Sequence, residues 1–99
     1  MILFGTNPIA WANDDDRTIG ADIPTERILD EAGRQIGFDG IENGHRWPDD
    51  PEELRALLGS YGLKFISGWY SCELLVRSVQ DEIAAAQAHL AKLKHNGCK

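Results

Sequence analysis

The sequence predicts an α/β fold of parallel βα units, the first three of an eight-unit TIM-type (β/α)8 barrel, and three observations carry that expectation. Short apolar segments alternate with amphipathic ones in the order βαβαβα, which favours parallel strands joined by right-handed crossovers. Apolar starts near Ile2, Phe38, Leu63 and then Cys98 recur about every 32 residues, close to one eighth of a ~250-residue barrel. The first strand-to-loop junction, Gly5-Thr6-Asn7-Pro8-Ile9-Ala10, lacks the G-x-G-x-x-G that the rival doubly wound nucleotide-binding fold requires. Residues 1–99 accordingly read as the incomplete N-terminal portion of a single barrel domain, stopping where a fourth strand is expected.

Each element has its own signal. Ile2 to Thr6 is a short apolar run ended by Asn7-Pro8, which marks a buried strand entering a loop. The loop from Asn7 to Ile23 is longer and more polar than an ordinary βα connection, an excess that often carries function. Pro24-Thr25-Glu26 starts a helix over about 25–36, with Ile28, Leu29, Ala32 and Ile36 at near-helical spacing and Gly37 at its end. Phe38 to Glu42 is the second strand, turned by Asn43-Gly44. Pro51 opens a second helix through Leu54, Leu57 and Leu58, closed by Gly62 after Tyr61. Leu63 to Ser67 is the third strand. Ser78 caps the third helix, with Asp81 and Glu82 in its first turn, Lys92 and Lys94 in its last and Gly97 beyond it. Its apolar face, Ile83, Ala86, Leu90 and Leu93, or Ala84 with Ala88, is expected to pack on the sheet.

Composition excludes several classes. A hydrophobic content of 42% with 26% charged residues is that of an ordinary globular chain, which argues against disorder and fibrous structure. The net charge of -6 and the absence of a Lys/Arg cluster make nucleic acid an unsuitable partner. No stretch reaches the roughly 18 apolar residues of a membrane span. Ala10-Trp11-Ala12 imitates a leader-peptide cleavage site, yet no basic or continuous apolar region precedes it, so a cytoplasmic protein is expected. Cys72 and Cys98 lack C-x-x-C spacing and read as reduced structural thiols.

In a barrel the functional residues gather where strands end, here Asn7 to Asp16, Glu42 to Trp47 and Trp69 to Cys72. Each segment sets an aromatic beside hydrogen-bonding groups, a composition suited to a polyol, whose C–H faces pack on rings while its hydroxyls meet amides and carboxylates. Trp11 is a candidate stacking residue or, alternatively, core. Trp69 and Tyr70 follow a strand directly, so alternation sends their side chains to opposite sides. Trp47, beside Pro48, reads as loop packing. Asp14, Asp15 and Asp16 diverge as consecutive side chains, unlike the alternate ligands of a calcium loop, and read as a solvated loop or as helix caps. Glu42 is the sharper candidate, because a carboxylate at the end of a buried strand requires a partner, a ligand or a chemical task; an ion pair with Arg46 is the structural alternative. His45 is a candidate acid, base or ligand. His89 and His95 lie on a helix expected to face away from the rim and receive no catalytic role.

Three segments together resemble the start of myo-inosose-2 dehydratase, within the xylose-isomerase-like barrel group. They are Gly5 to Asp15 with Ile19-Gly20-Ala21, Gly37 to Gly44, and Ser67-Gly68-Trp69-Tyr70-Ser71. The first is the more specific to the dehydratase, whereas Gly-Phe-x-Gly-Ile-Glu is shared across the group. The resemblance implies a lyase that removes water from 2-keto-myo-inositol (scyllo-inosose) to give a diketone in inositol catabolism, with manganese or cobalt and with glutathione. That chemistry needs a base for the proton beside the ketone, a cation for the enediolate and an acid for the departing hydroxide. The family's metal ligands lie mainly on later strands, so no metal, glutathione or catalytic residue is assigned to this chain. Carried over by position, Asn7, Trp11, Asn13, Asp14, Glu42, Trp69 and Tyr70, with His45 as an addition, would bind substrate.

Two alternatives remain open at this level. One is a sugar isomerase or epimerase of the same barrel group. The other is a non-catalytic partial barrel that self-associates through its open sheet edges, since three βα units close no barrel and leave the first and third strands as edges. Catalysis by these residues alone is not expected.

Overall fold

The structure, a computed structural model, describes residues 1–98. Its sheet has three parallel strands in the order β1 (Gly5–Thr6), β2 (Gly40–Ile41) and β3 (Lys64–Phe65), with Gly5, Gly40 and Lys64 in register and Thr6, Ile41 and Phe65 one residue on. Further backbone hydrogen bonds lengthen the pairing. Asp39 donates to the Phe4 carbonyl (2.7 Å), Glu42 to Thr6 (2.9 Å), Ile66 to Ile41 (3.2 Å) and Asn43 to Ser67 (2.9 Å). The α/β class, the parallel pairing and the strand order therefore follow the expectation from sequence.

Side chains alternate across this sheet, and the two faces differ. Ile41 and Phe65 point to the helices, where they join Ile28, Leu29, Ala32, Leu54, Leu58 and Leu63 in one buried cluster. Ile28, Leu29, Ile41, Leu54 and Leu58 are at most 1% exposed, and full burial of each such side chain contributes about 1.5–3 kcal/mol. On the other face lie Gly5, Gly40, Lys64 and the half-covered Ile66. A Cβ on either glycine would strike the Ile66 side chain, so Ile66 rests directly on the backbone of two neighbouring strands.

The helix after β1 covers the expected span but changes character midway. α1 (Thr25–Leu29) runs into a π-helical segment, Asp30–Ile36, whose wider turn brings Gln35 Nε2 to Asp30 Oδ2 (2.8 Å), five residues apart. A Cβ on Gly33 within it would strike the Tyr61 carbonyl and stand 3.1 Å from Leu63 Cγ, so the segment packs closely there. Gly37, at φ 85°, ends the segment in the left-handed conformation.

α2 (Pro51–Gly59) has Pro51 at its first position and is capped by the Asp50 carboxylate, which accepts the Glu53 N–H at 2.8 Å. It stops short of Tyr61, and the Leu63 N–H returns to the Leu58 carbonyl (3.0 Å) around Gly62 at φ 76°. α3 (Val79–His95) is capped by Ser78, which accepts the Asp81 N–H (3.1 Å).

Two expectations need correction. Strand one does not begin at Ile2: Ile2, Leu3 and Phe4 are 78%, 61% and 65% exposed, with little packed against them. The stripe of α3 packs only in part: Leu93 lies against the core, but Ile83 and Leu90 are more than half exposed while Glu82 and Lys92 are buried. The helix leans on α2 and on the loop after β3, through His95 Nε2 to Glu52 Oε2 (2.6 Å), Asn96 to the Pro51 carbonyl (3.3 Å) and the Glu82 contacts described below. The fourth strand expected from Cys98 onward falls largely outside the described residues. Among the described residues no helix is long and apolar enough to cross a membrane.

Candidate functional site

The strands deliver the three segments to one end of the sheet. Thr6 leads into a short 3-10 turn at Pro8–Ala10, capped by Asn7, whose Oδ1 accepts the Ile9 N–H at 2.8 Å. The Asn7 amide then donates through Nδ2 to Glu42 Oε2 (2.7 Å). The other Glu42 oxygen accepts the Ser67 hydroxyl. A half-buried carboxylate at the end of β2 is thus held by one neutral donor from each neighbouring strand end.

Arg46, the partner considered for Glu42, goes elsewhere. Its guanidinium donates to the carbonyls of Gly20 (2.6 Å) and Ile23 and so ties the loop after β2 to the loop after β1. His45 reinforces that tie, with its backbone N–H on Asp14 Oδ1 (3.2 Å) and its ring Nδ1 2.6 Å from the same oxygen. Trp47 is 5% exposed and donates its indole N–H to the Glu42 carbonyl (2.8 Å), the loop-packing role its sequence context suggests.

Beside this network is a cleft of about 250 Å3 lined by Asn7, Ile9, Asp14, Asp15 and Trp69. Three of the residues singled out from sequence, Asn7, Asp14 and Trp69, therefore face one space, with Glu42 directly behind Asn7 and His45 behind Asp14. Trp69 is 88% exposed, and its neighbour Tyr70 turns the opposite way, as alternation requires. Tyr70 donates its hydroxyl to Glu82 Oε1 (2.6 Å), which pushes the phenol's ionisation up and holds the Glu82 carboxyl below its usual range.

Two other candidates are engaged by the protein. The Trp11 indole packs on the core and donates to Glu31 Oε2 (2.6 Å); the Arg27 guanidinium, and next this indole, hold the Glu31 carboxyl below the usual carboxylate range. Asn13 Oδ1 accepts the N–H groups of Asp15 and Asp16, both at 2.8 Å, and so shapes the acidic loop. Asp16 in turn accepts from the Thr18 hydroxyl (2.6 Å), which lowers its carboxyl.

Sequence reasoning missed Ser67 and His89. The parallel register that pairs Ile41 with Phe65 places 67 alongside 43, so Ser67 beside Glu42 was in principle accessible to it. His89 was expected to face away from the rim; instead its ring lies 5.4 Å from that of Tyr70 and against Gly68. The rotation of α3 towards the loop after β3 brings it there.

The donor set does not fit a metal ion. Among the described residues no three His, Cys, Asp or Glu side chains converge, both Glu42 oxygens accept from neutral donors, and Asp14 is occupied by His45.

Known proteins extend this picture. The chain is 39% identical over 98 residues to the rhizopine catabolism protein MocC of Rhizobium meliloti. It is 34% identical to the inosose dehydratase of Lacticaseibacillus casei and 33% identical to that of Geobacillus thermodenitrificans, again over 98 residues. These matches take in 99% of this chain and 30%, 33% and 33% of the respective relatives. No family model and no solved structure matches the chain. The similarity to inosose dehydratase read from the three strand-end segments thus holds over essentially the whole sequence, which spans about a third of the length of the curated relatives it matches.

Proposed function

We propose that these residues form part of the substrate-binding rim of an inosose-dehydratase-type (β/α)8 barrel, a lyase that converts 2-keto-myo-inositol to a diketone in inositol catabolism. The observation that carries the reading is the cleft at the strand ends, where Asn7, Asp14 and Trp69 converge beside the Glu42 carboxylate. An exposed indole offers a flat face to the ring C–H groups of a cyclitol, and the amide and carboxylates accept and donate to its hydroxyls. The names of the relatives favour a dehydratase over the isomerase alternative.

In this reading Asn7, Asp14, Glu42 and Trp69 bind, while Trp11, Asn13, His45 and Tyr70 hold the rim in shape. No step of the chemistry is assigned to them. The manganese or cobalt ion and the glutathione that the family uses belong, in this proposal, to groups beyond the described residues, and the protein works in the cytoplasm on a small polyol.

Titration of the 99-residue chain with 2-keto-myo-inositol, followed through Trp69 emission, tests the reading. A saturable change that Asn7→Ala weakens is expected. The absence of any saturable change overturns it. Dehydration followed by ultraviolet absorbance with manganese or cobalt should show no turnover by this chain; metal-dependent turnover would place catalytic groups among Asp14, Glu42 and His45.

A further inference from the structure

Glu82 is a buried carboxylate on a helix whose other first-turn residues are exposed. It is 6% accessible, yet no role in the cleft explains it. Its Oε1 accepts the Tyr70 hydroxyl (2.6 Å), its Oε2 accepts the backbone N–H of Glu73 (3.0 Å), and Arg77 Nε lies 3.5 Å from Oε2. A buried carboxylate is tolerated where such donors replace water, and each of these donors comes from the loop between β3 and α3.

The same loop is constrained at its start. A Cβ on Gly68 would stand 3.0 Å from Asn43 Cβ and 3.0 Å from His89 Cε1, so the backbone passes through a gap between the end of β2 and α3 that leaves no spare room. Two residues later the Tyr70 ring tilts over His89. Glu82 and His89 are seven residues apart on α3, which places them two turns along one face. One face of α3 therefore grips the loop at Gly68, Tyr70 and Glu73, and Trp69 projects between these points towards the cleft.

We propose that Glu82 is a positioning residue of the rim: by holding Tyr70 and the Glu73 amide it fixes the loop that presents Trp69 to the cleft. The link to ligand rests on the reading of that cleft as a polyol site, whereas the latch itself does not. Glu82→Gln keeps the side chain's size and its place in the helix, but it sets an amide N–H against the Glu73 N–H or removes the acceptor for Tyr70. Tyr70→Phe removes only the hydroxyl.

The test uses the 99-residue chain, both variants and the double variant, in two arms. Without ligand, amide hydrogen exchange at Glu73, Val76 and Arg77 should rise about tenfold in Glu82→Gln while Ile41 and Leu58 stay unchanged. In the same variant Tyr70 should ionise earlier than in the parent, where its hydrogen bond to Glu82 pushes the phenol's ionisation up. With 2-keto-myo-inositol, each single variant should weaken the Trp69 response about tenfold, and the double variant should lose less than the sum of the two, since both loosen the same loop. Unchanged loop exchange in Glu82→Gln, or fully additive losses, overturns the proposal. A loop that loosens as expected in a chain whose Trp69 never responds to inosose supports the latch and refutes the polyol reading.

Discussion

Two rim loops with similar tasks are held in opposite ways. The loop after β1 is anchored to two other parts of the chain: from the loop after β2, Arg46 grips the carbonyls of Gly20 and Ile23 and His45 meets Asp14, and the Trp11 indole reaches Glu31 on the helix that follows. The loop after β3 depends on one face of α3, and it leaves Leu74, Leu75 and Val76 57%, 101% and 82% exposed. A long polar loop is ordered by satisfying its backbone carbonyls and amides from outside. A loop with few such ties has a single point of failure.

The contrast breaks most sharply at Gly20. It sits at φ 77°, and a Cβ there would fall on the Trp11 carbonyl, so Gly20→Ala should combine left-handed strain with a backbone collision and reduce unfolding free energy by about 3 kcal/mol or more. Gly37→Ala, at φ 85° but with open space around it, should cost only about 1 kcal/mol in the same urea titration. Equal losses would show that the packing around Gly20 contributes nothing.

Arg46→Ala comes next. Removal of a charged donor from two carbonyls should cost about 2 kcal/mol and accelerate exchange of the Asn13 and Ile23 amides, whose bonds to Ile19 and Gly20 close the loop on itself. Exchange at Glu73 should stay constant, which separates the two loops.

The pH dependence of the first loop has a defined sign. Glu31 is held below the ordinary carboxylate range, first by Arg27 and then by Trp11, so its contribution is complete above the unfolded-chain value near pH ~4.3 and is lost as pH falls through the lower folded value. Trp11 emission and the unfolding midpoint, followed from about pH 6 to about pH 3, should change together, and Glu31→Gln should remove the low-pH component of the Trp11 change. The smallest effect is expected at Leu75: its replacement by Ser should alter unfolding free energy by less than about 0.5 kcal/mol, because the side chain touches little.

The order of elements, the parallel sheet, the helix start at Pro51 and the cap at Ser78 were legible because they depend on local chemistry: turn residues, capping oxygens and apolar spacing. The cleft was legible in part, since strand ends locate Asn7, Glu42 and Trp69 without knowledge of their partners. Three features were not. The wide turn at Asp30–Ile36 leaves the apolar spacing of an ordinary helix almost unchanged. The face that α3 presents depends on where the helix leans, and a stripe of Ile83, Leu90 and Leu93 carries no record of a buried Glu82. Arg46 lies four residues from Glu42, an obvious pair by distance along the chain, but two loop carbonyls claim it instead.

The isoleucine lying across β1 and β2 ties distant positions into one inheritance. Ile66, Gly5 and Gly40 divide a single side chain's worth of space among three strands, and at Gly40 the obstacle is the stiff Cγ2 branch together with the Lys64 carbonyl 3.0 Å away. A methyl group gained at 40 therefore demands bulk surrendered at 66, so Gly40→Ala should be tolerated better alongside Ile66→Ala than alone. The size allowed at 5 and at 40 is thus set by what stands at 66.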